Sequence, residues 1–167
     1  MPFTFYSACI PVFVRGMRNL GAYLEKGRAD AVARKFEPAV LIDARLAPDM
    51  HKLSRQVQIA SDTVKNAAAR LAGVQAPSFP DTETTFEELQ ARIAKTIAFL
   101  ETITEAQIQG AEDRQVTLKF PGREITFAGA TYLTGFVLPN LYFHMTSAYN
   151  ILRNNGVPIG KSDFMGA

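Results

Sequence analysis

Apolar residues recur at steps of three and four along four long segments, a spacing that places them on one face of an α-helix. These segments cover approximately residues 7–33, 48–73, 84–100 and 129–155. Amphipathic helices of this length bury their apolar faces against one another, so the pattern predicts a four-helix bundle. A chain of 167 residues is large enough for one core, and we expect a single domain over residues 1–167.

The pattern changes between the third and fourth helices. Apolar and polar residues alternate in 115–120 and again in 125–127, as in a half-buried β-strand. Pro121-Gly122 lies between them and suits a type II turn. The predicted fold is therefore all-α with one short β-hairpin inserted between helices three and four.

Several residues indicate where the helices begin and bend. Pro48 and Asp49 suit the first turn of helix two, where an acidic side chain favours the positive end of the helix dipole. Thr84 with Glu87 forms a capping-box pattern before helix three. Pro139 lies inside helix four and predicts a kink, because proline removes one backbone hydrogen bond.

Composition excludes several classes of protein. Eighteen basic residues against sixteen acidic ones leave a net charge of +2, which argues against a nucleic-acid partner. Cys9 is the only cysteine, so neither an internal disulfide nor a multi-cysteine zinc site can form. His51 and His144 are the only histidines, so no site in one chain contains three.

We expect a cytoplasmic protein without a membrane partner. Residues 1–14 lack the basic start and the small-residue cleavage site of a signal peptide. Residues 125–152 contain no charged side chain and are long enough to span a bilayer. This stretch nevertheless carries Pro139, Asn140, His144 and Asn150 among other polar residues, which favours a helix buried inside a soluble bundle.

Polar residues interrupt the inner faces of two helices. On a helical wheel, Asn140, His144 and Ser147 lie on the inner face of helix four, one turn apart. Gln56 lies at the boundary of the core face of helix two, whereas Gln58 falls on the outer face. We therefore predict an internal cluster of Gln56, Asn140, His144 and Ser147, because buried polar groups require partners.

Two sequence runs near the end of the chain are informative: Asn140-Leu-Tyr-Phe-His144 and Ile151-Leu-Arg-Asn-Asn-Gly-Val-Pro158. Together they resemble the last helix of the DinB/YfiT-like metalloenzyme superfamily. Three further runs are similar to a bacterial domain-of-unknown-function family within that superfamily: 44–50, 55–60 and 164–166.

This resemblance implies a four-helix bundle, commonly a homodimer, that holds a divalent metal with three histidines. Some members transfer groups to or from low-molecular-weight thiols. His144 matches the second histidine of helix four, Asn140 stands in place of the first, and Gln56 or Gln58 stands in place of the helix-two histidine. Two of three ligands are replaced, so the resemblance implies a degenerate metal site.

Three functions are consistent with these residues. The favoured one is a binding or interaction protein without a cofactor, acting as a homodimer. The second is a transferase that uses zinc or nickel on His144 together with a thiol. The third is a metal-free enzyme or small-molecule binder that uses the cluster around Gln56, Asn140, His144 and Ser147. Arg45 is a further candidate, either to anchor an anion or to pair with Asp43 or Asp49.

Overall fold

The computed structural model describes residues 3–166 and confirms a mostly helical fold with one hairpin. In chain order the helices are α1 (Phe5–Ala33), α2 (Ala39–Asp43), α3 (Leu53–Ala72), α4 (Phe86–Glu101), α5 (Glu105–Ile108), α6 (Gly129–Tyr132), α7 (Leu138–Asn154) and α8 (Lys161–Met165). The strands are β1 (Gln115–Phe120) and β2 (Arg123–Ala128).

The apolar faces of the long helices meet in one core. Helix α3 packs against α7 and α4, while α1 packs against α4 and receives the short α8 on its surface. The core is closed by large buried side chains, among them Phe13, Tyr23 and Phe86. The contact between α3 and α7 matters most for function, because these are the two helices whose inner faces carry polar residues.

Helix α3 begins later than the sequence pattern predicts. Its first residue is Leu53, its N-cap is Lys52, and no side chain caps it. Residues 47–50 instead form a turn in which the Met50 N–H donates to the Ala47 carbonyl at 3.0 Å. The prediction that Pro48 and Asp49 open this helix is therefore wrong, because the turn holds them outside it.

Helix α4 has the predicted capping box, displaced by one residue. Thr85 is the N-cap, and its side chain accepts a hydrogen bond from the Glu88 N–H. The Glu88 carboxylate in turn accepts the backbone N–H groups of Thr84 and Thr85 at 2.7 and 3.1 Å. Two consecutive Thr-Glu spacings exist in the sequence, and only the second places the glutamate at the third helical position.

The hairpin has the predicted strands and turn. β1 and β2 pair antiparallel from Gln115 opposite Ala128 to Phe120 opposite Arg123. Gly122 at the turn has φ +78°, a conformation that favours glycine. The hairpin is held to the bundle by aromatic contacts of Phe127 with Tyr132 and Phe136.

The proline in the last helix is accommodated by a wider turn. A π-helical segment, Leu133–Val137, joins α6 to α7, and Pro139 lies at the start of α7. The Leu138 N–H donates to the Leu133 carbonyl, five residues back. The structure thus has a π-helical turn where the sequence predicts a kink, since this turn relieves the crowding that proline causes.

Residues 125–152 do not form a membrane span. Across residues 3–166, no helix combines the length and the apolar character needed to cross a bilayer.

Candidate functional site

The centre of the candidate site is a hydrogen-bonded pair between α7 and α3. His144 Nδ1 lies 2.7 Å from Gln56 Oε1, and Gln56 Nε2 donates to the His51 carbonyl at 3.0 Å. The two side chains are 8% and 1% exposed. Because the amide N–H₂ group is used by the His51 carbonyl, its oxygen faces the imidazole, and Nδ1 carries the proton. Nε2 of the neutral ring therefore keeps its lone pair.

Charge and burial keep this imidazole neutral. Burial lowers the pKa of His144 to about 4, and the positive charges of His51 and Arg55 act in the same direction. At neutral pH the ring is a hydrogen-bond donor through Nδ1 and an acceptor through Nε2.

The other two predicted members of the cluster have different surroundings. Asn140 is half-buried, and its Nδ2 donates to Thr63 Oγ1 at 2.9 Å. Ser147 is buried one turn beyond His144 and makes no hydrogen bond to Gln56, Asn140 or His144 within the described chain. The structure therefore joins Gln56 to His144 and separates Asn140 from this pair, because Thr63 on α3 lies within reach of Asn140.

Gln58 does not lie on an outer face, contrary to the sequence prediction. It is buried, its Nε2 donates to Glu83 at 2.9 Å, and its Oε1 accepts from Arg55 at 3.3 Å. The connection between α3 and α4 covers this side of α3 and brings Glu83 against it. A helical wheel shows the direction of a side chain but not what a distant segment places over it.

Sequence reasoning missed a second polar cluster around Arg92 on α4. This side chain is 2% exposed, and its Nε donates to Ser61 Oγ at 3.2 Å. Its Nη1 donates to the Pro80 carbonyl at 3.1 Å and to Glu83 at 3.0 Å. Its Nη2 lies 2.9 Å from Asp62 and 3.1 Å from Asp81, at ion-pair distance but without hydrogen-bond geometry.

The spacing of helix three contained a signal for this cluster. Arg92 lies three residues after the buried Leu89, and Thr96 follows four residues later on the same face. Thr96 Oγ1 and Ser61 Oγ are 2.7 Å apart and complete the contact with α3. An arginine and a threonine at helical spacing within an apolar face indicate a buried polar network.

The side chains at the α3–α7 contact do not match a three-histidine metal centre. One imidazole is present, its Nδ1 is bonded to the Gln56 oxygen, and Asn140 is bonded to Thr63. Residues 3–166 contain no group of three or more His, Cys, Asp or Glu side chains placed to hold a metal ion. Neutral amide oxygens are weak ligands for zinc or nickel, which prefer imidazole or thiolate.

Comparison with known proteins gives the family of the chain. The model of a domain of unknown function, DUF1993, matches residues 5–165. The chain belongs to the DUF1993 family. This DUF1993 chain also resembles the crystal structure of a DinB family member protein from Shewanella denitrificans, with 41% sequence identity and a TM-score of 0.90. The likeness covers 97% of this chain and 92% of that one, which confirms the DinB-like fold.

No curated protein matches the DUF1993 chain, so no activity is carried over from a characterised relative. The functional interpretation therefore rests on the residues themselves.

Proposed function

We propose that this DUF1993 protein is a binding or interaction protein in which a hydrogen-bonded His144–Gln56 pair stands at the position of the DinB metal centre. The observation that carries the proposal is the 2.7 Å contact between His144 Nδ1 and Gln56 Oε1. In this arrangement the Gln56 amide oxygen accepts a hydrogen bond from the Nδ1–H group of His144.

The donor chemistry supports a site without a resident metal. A metal at this place would have one imidazole nitrogen, Nε2 of His144, and would need further ligands from groups that already have partners. Gln56 is held between His144 and the His51 carbonyl, and Asn140 is bonded to Thr63. Releasing either amide leaves a hydrogen-bonding group unpaired, and this loss opposes metal binding.

Elemental analysis of protein purified without a polyhistidine tag tests this proposal. We expect no stoichiometric zinc or nickel in the wild type, and equal trace levels in His144→Ala. Stoichiometric zinc or nickel that is lost in His144→Ala would contradict the proposal. That result would favour the metal-dependent transferase that uses a low-molecular-weight thiol.

A second candidate function is a metal-free site in which the neutral His144 ring binds a small molecule. The observation in its favour is the proton on Nδ1, which leaves the Nε2 lone pair free on a neutral ring. Ser147, one turn along α7, is the hydroxyl nearest in sequence on the same face. Native mass spectrometry of the purified protein tests this candidate, because a bound small molecule that is lost in His144→Ala supports it.

A second copy of the chain is the partner that we propose for the interaction role. Tyr142 and Phe143 are adjacent, exposed aromatic residues on α7, and Phe143 is 57% exposed. Sedimentation velocity should show a dimer in the wild type that is weakened by Phe143→Ser, with Val40→Ser on α2 as an exposed control. A monomeric wild type would contradict this part of the proposal.

The cytoplasmic location stays a prediction.

A further inference from the structure

A third polar contact joins α3 to the helical segment opposite it. Arg70 Nη1 donates to the Tyr132 hydroxyl at 3.0 Å. Gln56, Thr63 and Arg70 are spaced by seven residues, so they follow one line along α3. Tyr132 also contacts Phe127 of β2, which places this third pair at the hairpin end of the line.

A pocket lies beside this pair, between α3 and the hairpin, and we name it the hairpin pocket. Asn66 and Arg70 line it from α3, and Phe120, Tyr132 and Phe136 line it from the other side. It encloses about 200 Å³. Pockets for drug-sized ligands measure roughly 300–1,000 Å³, so this one suits a ligand with a single ring.

The side of the hairpin pocket opposite α3 is aromatic. The Phe136 ring centroid lies 5.9 Å from that of Tyr132 and 6.4 Å from that of Phe120. Phe120 and Phe136 are half-buried, and Leu118 of β1 also lines this side. Aromatic rings attract one another at such distances, so a flat ring in the pocket would have favourable neighbours.

The phenol of Tyr132 has a hydrogen-bond donor that is not in use. The residue is 1% exposed, and its hydroxyl oxygen accepts the bond from Arg70. A phenol accepts and donates separately, and within residues 3–166 its own proton has no acceptor. Burial raises the pKa of Tyr132, so this proton stays in place at neutral pH. A ligand oxygen in the pocket would provide the acceptor that the buried donor lacks.

Arg70 brings a positive charge to the hairpin pocket. Its side chain is exposed, and in the part of the chain that the structure describes its only hydrogen bond is the one from Nη1 to Tyr132. The other guanidinium N–H groups can therefore donate to a carboxylate. Lys119 adds a second charge, because its pair with Glu124 at 3.2 Å is exposed and weak.

The acidic side chain in the lining does not cancel this charge. Asp62 lines the pocket, and its Oδ1 lies 2.7 Å from Lys65 Nζ and 2.9 Å from Arg92 Nη2. Both cations are buried, so they neutralise Asp62 within the bundle. An anion in the pocket therefore meets the uncompensated charge of Arg70.

We propose that the hairpin pocket binds a small aromatic carboxylate. Its carboxylate would accept hydrogen bonds from the Tyr132 hydroxyl and the Arg70 guanidinium, and Asn66, one turn before Arg70, can add an amide donor. Its ring would pack against Phe120 and Phe136. Neither His144 nor Gln56 lines this pocket, so the inference goes beyond the proposed function and does not depend on it.

Titration of ¹⁵N-labelled protein with benzoate, followed through the amide chemical shifts, tests this inference. We expect saturable shifts at the residues of the hairpin pocket. The dissociation constant should rise about tenfold in Arg70→Gln and in Tyr132→Phe. Arg15→Gln is the matched control and should bind like the wild type, because Arg15 is also exposed and lies on α1, outside the pocket.

Two further probes test the two parts of the ligand separately. Acetate has the carboxylate without the ring, and benzyl alcohol has the ring without the charge. Each should bind about tenfold more weakly than benzoate, because each lacks the contacts of one side of the pocket.

Three results would overturn the inference. The first is a wild type that shows no saturable shifts with benzoate. The second is equal affinity in the wild type, Arg70→Gln and Tyr132→Phe, because benzoate would then bind elsewhere. The third is acetate or benzyl alcohol that binds as tightly as benzoate. Arg70 is exposed and Tyr132→Phe keeps the ring, so both variants should fold, as thermal denaturation checks.

Discussion

His144 on α7 and Gln56 on α3 are joined by a 2.7 Å hydrogen bond across the interior of the bundle, 88 residues apart in sequence. The bond fixes the imidazole proton on Nδ1 and links α7, the last of the long helices, to α3, the second of them. Because both groups are buried and polar, removing one of them leaves the other without a partner.

A double-mutant cycle measures this contact. Gln56→Leu should lower the free energy of unfolding by about 1–3 kcal/mol, because it leaves the His144 Nδ1–H unpaired. His144→Leu together with Gln56→Leu should cost less than the sum of the single changes. Urea denaturation gives the four values. Asn140→Leu combined with His144→Leu is the control and should couple less, since Asn140 is bonded to Thr63.

The depressed pKa of His144 makes stability depend on pH. The folded protein holds this pKa at about 4, below the 6.5 of the unfolded chain. Between these values the unfolded state binds more protons than the folded state. The contribution of His144 to the free energy of unfolding is therefore fully present above pH 6.5 and is lost as the pH falls toward 4. The loss amounts to about 3 kcal/mol at most.

Urea denaturation of the wild type and His144→Leu from neutral to acidic pH isolates this effect. The difference in stability between the two proteins should change over this pH range, because only the wild type carries the titrating imidazole. A constant difference would mean that the imidazole is hydrated in the folded state.

Replacing the buried Arg92 should lower stability more than replacing an arginine in an exposed ion pair. Arg92→Met removes the partner of Glu83 and Asp62 and should cost about 3 kcal/mol. Arg18→Met, whose pair with Glu101 is exposed, should cost less than about 1 kcal/mol. Thermal denaturation of both variants checks this contrast, and equal melting temperatures would contradict the burial of Arg92.

Gly129 marks a close backbone approach at the start of α6. A Cβ on Gly129 would lie 1.8 Å from the Ala111 carbonyl oxygen, so Gly129→Ala should lower stability by about 3 kcal/mol. Gly135→Ala is the control, because its Cβ would meet nothing nearer than Thr131 Cγ2 at 3.9 Å. The control should leave stability unchanged or raise it by about 0.5 kcal/mol, as measured by chemical denaturation.

The thiol of Cys9 should be unreactive in the folded protein. Burial raises its pKa to about 12, so almost no thiolate is present at neutral pH. Mass spectrometry after iodoacetamide treatment should show no adduct in buffer and one adduct in denaturant. Rapid labelling of the native protein would show that α1 opens locally around this residue.

The sequence by itself determined the helices, the hairpin and the inward direction of both members of the central pair. Apolar spacing is a local property, and the same spacing buries the stripe around Val57 and Val64 on α3 and around Leu141 and Ile151 on α7. Pro121-Gly122 determined the turn, since its backbone angles depend on those two residues. The same reasoning directed His144 and Gln56 to the interior, where the structure places them.

Only the tertiary structure decided which polar groups meet. Asn140 is bonded to Thr63 because α3 presents that hydroxyl opposite it, and Gln58 is buried because Glu83 lies over it. Arg92 has its partners on α3 and on the connection that precedes α4. Contacts between residues distant in sequence depend on how helices and loops pack, and a periodic pattern within one helix contains no information about what lies across from it.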